Sequence, residues 1–186
     1  MKIINLHTKL EKLIARAKQN DRRAQHEIYK RFAPKLLSLA RLYIADVQFA
    51  EDVLSRSFVK IFNKIHQFTS NEKAFPAWCR QILVHEAIDF LRRQKSIEFP
   101  SHQLEHLAIT TDDEALSYTQ IDEIQSCIDQ LPNGYKLVFN LFVVESYTHK
   151  AIAETLGISV GTSKSQLSKA KKMIMNLLHN QKQLNG

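Results

Sequence analysis

The stretch THKAIAETLGISVGTSKSQLSKAKKMIMNLL, residues 148–178, constrains the fold of this chain more than any other. Thr148 is placed to cap a helix whose Ile152, Ala153 and Leu156 fall on one face at helical spacing. Gly157 follows at the point where a chain leaving a helix sharply needs positive φ. Ile158 can plug the corner, and Ser159 can cap a second helix whose buried stripe is Leu167, Ala170, Ile174 and Leu177. Ala153 is small enough to let the two helices cross closely. The spacing predicts two helices joined by a tight turn, a helix-turn-helix.

The remainder reads helical too. Four Gly and four Pro in 186 residues are too few for the many turns of an all-β chain. They also leave no glycine-rich phosphate loop. Thr8 can cap a helix bearing Leu10, Leu13, Ile14 and Ala17. Asp21 can cap the next, with Ala24, Ile28 and Phe32. Pro34 suits the first turn of a further helix carrying Leu36, Leu37, Ala40 and Tyr43. Asp46 can start another, with Val53, Phe58, Ile61 and Ile65 apolar. A loop from Ser70 or Asn71 to Pro76 precedes a long helix ending near Arg92 and Arg93. Residues 121–131 and 135–144 read as two helices around a Pro132-Asn133-Gly134 turn. The fold expected is all-α: two small helical domains, 1–95 and 121–186, joined by a flexible acidic linker, 96–120.

Charge divides the chain at the same places. Residues 1–95 hold 19 Lys and Arg against 9 Asp and Glu; residues 96–120 hold five acids and no Lys or Arg. From Lys164 onward there are five Lys and no acid. Two basic blocks around an acidic segment suggest two polyanion-binding units and a linker that avoids polyanions. No apolar run is long enough to span a membrane. The charged start MKIINLHTKLEKL is unlike a signal peptide. Two well-separated cysteines, Cys79 and Cys127, suit free thiols in a reducing cytoplasm.

On the second helix of the 148–178 motif, Lys164, Ser165, Ser168, Lys169, Lys171 and Lys172 fall mostly outward. Hydroxyls and ammoniums near a helix start suit phosphates and base edges in a major groove. Lys164, Ser165, Ser168, Lys169 and Lys171 are the candidate DNA contacts; the competing reading is a helical hairpin with a solvated lysine face.

With these motifs in view, the chain resembles a bacterial RNA polymerase sigma factor of the extracytoplasmic-function group. AEDVLSRSFVKIF (50–62) resembles the region 2 helix that docks on the β′ clamp helices. FPAWCRQILVHEAIDFLRRQ (75–94) resembles the helix that melts and reads the −10 element. IDQLPNGYKLVFNLF with the helix-turn-helix resembles region 4, which reads the −35 element. The resemblance implies core polymerase contact, at the β′ clamp and β flap, through Glu51, Asp52, Val53 and Phe58. It implies −10 contact through Trp78, Arg80, His85, Arg92 and Arg93, and −35 contact through Lys164, Ser165, Ser168, Lys169 and Lys171. It further implies promoter DNA and an anti-sigma factor as partners, with no cofactor, no metal, no membrane insertion and a cytoplasmic location. His85 stands where the family usually has Asn, Ser163 where it often has Val, and Gln166 where it often has Arg. Gln166 would read adenine if it faced the groove.

The residues fit that chemistry without the resemblance. Holding an unstacked base and tracking one strand calls for aromatic and basic groups on one helix beside a short loop. Phe68–Phe75 and the helix bearing Trp78 supply these, although the indole of Trp78 also has a place in the core. Two other function classes compete. A dimeric helix-turn-helix repressor or activator would use residues 1–95 to dimerise on a palindrome. An enzyme has only His102-Gln103-Leu104-Glu105-His106, an H-x-x-E-H pattern, in its favour.

Overall fold

The computed structural model describes residues 10–94, Ile97 and 125–184. The described residues are mostly helical and divide into two compact units, with the division between Phe90 and Leu91.

In the first unit, α1 (Leu10–Lys18) buries Leu13, Ile14 and Ala17. Asn20, with φ of 59°, turns the chain, and Asp21 caps α2 (Arg22–Tyr43) by accepting from the amides of Arg23 and Ala24. Arg16 binds the same carboxylate at 2.6 Å and holds its pKa below the usual value. The two helices expected around Pro34 are one. Pro34 removes the hydrogen bond to the Lys30 carbonyl, but both residues face solvent, where water can serve that carbonyl. Phe32, Ala33, Leu36, Leu39 and Ala40 anchor the backbone on either side.

Asp46 caps α3 (Val47–Lys64) through the Phe49 amide at 3.0 Å. Short 3₁₀ turns, Ile65–Gln67 and Glu72–Ala74, bracket the loop before α4 (Phe75–Arg93). Lys60 of α3 pairs with Glu86 of α4, a carboxylate otherwise buried in the core. Cys79 is buried and free, and burial pushes its thiol up to about 12, so it is inert packing.

In the second unit, α5 is helical over residues 125–129. α6 (Asn133–Phe139) passes directly into a π-helical turn, Asn140–Val144. The shift is marked by the Glu145 amide bonding back to the Asn140 carbonyl at 3.0 Å. Ser146, with φ of 57°, then redirects the chain into α7 (His149–Leu156). Thr148 caps α7 through the Ala151 amide, and Gly157 leaves it at φ 70°. The amides of Gly157 and Ile158 both return to the Ala153 carbonyl, a tight exit into α8 (Val160–Leu184). Leu137, Val138, Leu141, Ile152, Leu156, Leu167, Ala170 and Ile174 form this unit's core.

Candidate nucleic-acid interface

The start of α8 is fixed by side-chain chemistry. Ser159 Oγ accepts from the Thr162 amide at 2.9 Å and also pairs with the Thr162 hydroxyl. From that fixed start, helical spacing places Gly161, Lys164, Ser165, Ser168 and Lys172 along one face, with Lys171 at its edge. Lys164 and Lys172 are exposed; Ser165, Ser168, Lys169 and Lys171 are half-buried. Lys169, about 40° round the helix from Ser165, lies at the opposite edge of the same face. α8 carries no acid, so the face has one sign of charge.

Two polar residues of α8 turn the other way. Ser163 and Gln166 are fully buried, in line with Leu167 and Ala170. The condition on which Gln166 would read adenine is not met: its side chain points into the core, and neither amide atom has a protein partner there. Ser163 is engaged by His149, the first residue of α7, with Nδ1 2.9 Å from Oγ. The imidazole stacks on Phe142 with centroids 4.7 Å apart. Burial first, then the charges of Lys164 and Lys171, hold its pKa below the ordinary histidine value.

In the first unit, Trp78 is half-buried against Phe68 and Phe75, at centroid distances of 5.3 and 5.5 Å. Phe68 is steadied by Lys18, whose ammonium donates to the Phe68 carbonyl at 2.6 Å. Along α4, Trp78, Gln81, His85 and Arg92 recur at i, i+3, i+7 and i+14 and share a face, with Arg93 on its flank. Gln81, His85, Arg92 and Arg93 are exposed. Gln81 was not among the sequence candidates, because a lone Gln between apolar residues carries no signal of its own. Arg80 is not brought to this face. It lies round the other side of α4, on the rim of a cavity of about 480 Å³ with Arg31, Lys35, Phe32 and Leu36.

The third set lies on α3. Glu51 and Asp52 are exposed, as docking requires. Val53 and Phe58, at 0% and 3% exposure, are core residues; Phe58 packs on Tyr29 at 4.6 Å. Their assignment to a partner-binding surface is corrected, since neither side chain can reach a partner while α3 stays packed. The outward stripe is Gln48, Asp52, Ser55 and Val59, and Val59 is 60% exposed. Val59 was not among the sequence candidates, because an apolar residue carries no binding signal of its own; its spacing of seven from Asp52 was the available signal.

Among the described residues, no group of three or more His, Cys, Asp or Glu is placed to hold a metal ion. The His102–His106 pattern, and the linker 96–120 apart from Ile97, lie outside the described residues. Among the described residues no helix is long and apolar enough to cross a membrane.

Comparison with known proteins follows the same division. The family Sigma-70 region 2 matches residues 28–97, and the family Sigma-70, region 4 matches residues 121–174. The RNA polymerase sigma factor SigV of Bacillus subtilis is 31% identical over 137 residues, covering 73% of this chain and 80% of that protein. The ECF RNA polymerase sigma-E factor of Haemophilus influenzae is 27% identical over 176 residues, covering 88% and 92%. The ECF RNA polymerase sigma factor SigW of Bacillus subtilis is 24% identical over 181 residues, covering 91% and 96%. The solved structure of CnrH in complex with the cytosolic domain of CnrY matches with a TM-score of 0.50 and 19% identity, over 92% of this chain and 99% of that one.

Proposed function

The chain belongs to the sigma-70 family as an extracytoplasmic-function sigma factor that directs promoter recognition, and from that premise we propose which of its surfaces does each part of the work. The domain assignment is residues 1–95 for polymerase and −10 binding, 96–120 as linker, and 121–186 for −35 binding. Glu51, Asp52, Ser55 and Val59 on α3 dock on the basic, partly apolar side of a polymerase clamp helix. An acid-bearing stripe with one exposed valine suits such a partner by charge and by buried area. Trp78, Gln81, His85, Arg92 and Arg93, with the Phe68–Phe75 loop, hold the opened −10 strand by stacking and phosphate contact. Lys164, Ser165, Ser168, Lys169 and Lys171, with Lys172 beside them, bring α8 into the major groove at the −35 element.

The observation that carries this reading is the α8 face: a capped helix start, a glycine-cornered approach and lysines without an acid on the helix. The protein is read as a non-catalytic specificity subunit of core RNA polymerase, acting in the cytoplasm. An anti-sigma protein is part of the same reading, since CnrH is known bound to the cytosolic domain of CnrY.

Two variants test the surfaces separately. Asp52→Arg is expected to lose core polymerase in a pull-down while its circular dichroism stays native; intact core binding would move the docking face elsewhere. Lys164→Ala is expected to weaken −35 duplex binding and lower the salt slope by ~1. An unchanged slope would remove Lys164 from the phosphate contacts.

A further inference from the structure

The first turn of α7 and the first turns of α8 are joined by one polar contact, His149 to Ser163. Ser163 is fully buried and precedes Lys164, the most exposed of the candidate groove residues on that turn. The imidazole is held on its other side by the Phe142 ring, from a π-helical turn that carries no charged side chain. The ring is therefore fixed between two elements, at the root of the DNA-facing surface.

We propose that His149 is a positioning residue for the recognition helix, and that it takes up a proton when promoter phosphates settle against Lys164 and Lys171. The inference rests on the reading of α8 as the −35 interface.

The contact survives either protonation state. With a neutral ring, Nδ1 and the Ser163 hydroxyl can exchange donor and acceptor roles; with a charged ring, Nδ1–H donates to Oγ. Stacking on Phe142 also tolerates the cation, which an aromatic face attracts. What sets the proton's affinity is the surrounding charge. The groups that act on the ring from α8 are Lys164 and Lys171, and both disfavour the imidazolium. The Asn140–Val144 turn contributes Phe142 and no charge. On α7 itself, Lys150 and Glu154 are the ionisable side chains.

Bound phosphates oppose the lysine charges and add negative potential at the ring. Histidine affinity for a proton then rises on binding, and by linkage DNA affinity must rise as pH falls. Each unit by which DNA raises the histidine pKa is worth up to about tenfold in affinity.

The test is the affinity of the full chain for a −35 duplex, by fluorescence anisotropy at fixed salt, from about pH 8 to about pH 5. The duplex is taken from a promoter mapped by run-off transcription. Wild type is expected to tighten about three- to tenfold as pH falls. His149→Asn, which keeps a hydrogen bond to Ser163 but cannot titrate, is expected to match wild type at high pH and to lose that gain. His149→Phe, which keeps the stack alone, is expected to lose the gain and to bind more weakly at every pH. Ser163→Ala is expected to bind more weakly at every pH while keeping the gain. A wild-type profile that is flat, or a gain retained in both His149 variants, overturns the proton link. Unchanged affinity in Ser163→Ala overturns the positioning role. If wild type does not bind the duplex at any pH, the interface reading fails and this inference with it.

Discussion

Gln166 shows how much one side chain's direction decides. It is fully buried in α8 with both amide atoms lacking a protein partner, a costly arrangement in a core. Replacing it with leucine, of similar size, removes the uncompensated polar group. Gln166→Leu is expected to stabilise the protein by about 1–2 kcal/mol in urea denaturation, with −35 binding unchanged. Loss of DNA affinity at unchanged stability would instead place the side chain in the groove. His149 carries a second consequence at this scale. Its folded pKa lies below the unfolded value, so the unfolded chain binds more protons as pH falls. Unliganded stability is therefore intact above the ordinary histidine pKa of about 6.5 and declines as pH drops through it. DNA acts in the opposite direction on the same proton.

At the scale of elements, caps and corners were plain in the sequence, while continuity was not. Asp21, Asp46, Thr148 and Ser159 all accept the amide bonds that their positions predict, and Gly157 takes the positive φ its place demands. These are local effects, set within a few residues. The join at Pro34 is not local. α2 runs through it because buried residues on both sides clamp the backbone, which proline's own preference does not reveal. Pro34→Ala restores an amide donor within α2 and is expected to add about 1–2 kcal/mol of stability. A loss would show that proline's limit on the unfolded chain outweighs the missing bond. The π-helical turn at Asn140–Val144 was invisible for a similar reason, since it buries Leu141 and stacks Phe142 on His149, contacts beyond its own residues that composition does not reveal. The candidate sites follow the same rule. Residue types were legible, but which face each took was not. Val53, Phe58 and Gln166 turned inward, and Arg80 turned away from Trp78 and His85. Val59 and Gln81 are exposed on the faces that those residues leave.

At the scale of the whole molecule, the chain pairs two basic helical units with unlike surfaces. One carries an acid-bearing stripe with an exposed valine on α3 and the aromatic start of α4, whose exposed Arg92 and Arg93 lie past the division between the units. The other offers a lysine and serine face on α8. A repressor needs one DNA surface and a second copy of itself; on the reading proposed above, this chain instead carries a polymerase-docking stripe and two different nucleic-acid surfaces. The acidic segment 96–120, with no Lys or Arg, gives the connection no affinity for the duplex. The measurement that tests the account most directly is run-off transcription: the purified chain added to core polymerase from the same organism on its genomic DNA, with start sites mapped. The expected result is a set of new start sites that share two upstream elements, lost with Asp52→Arg and weakened with Lys164→Ala. Transcription no different from core polymerase alone, with the chain bound as a dimer to a palindrome, would contradict it.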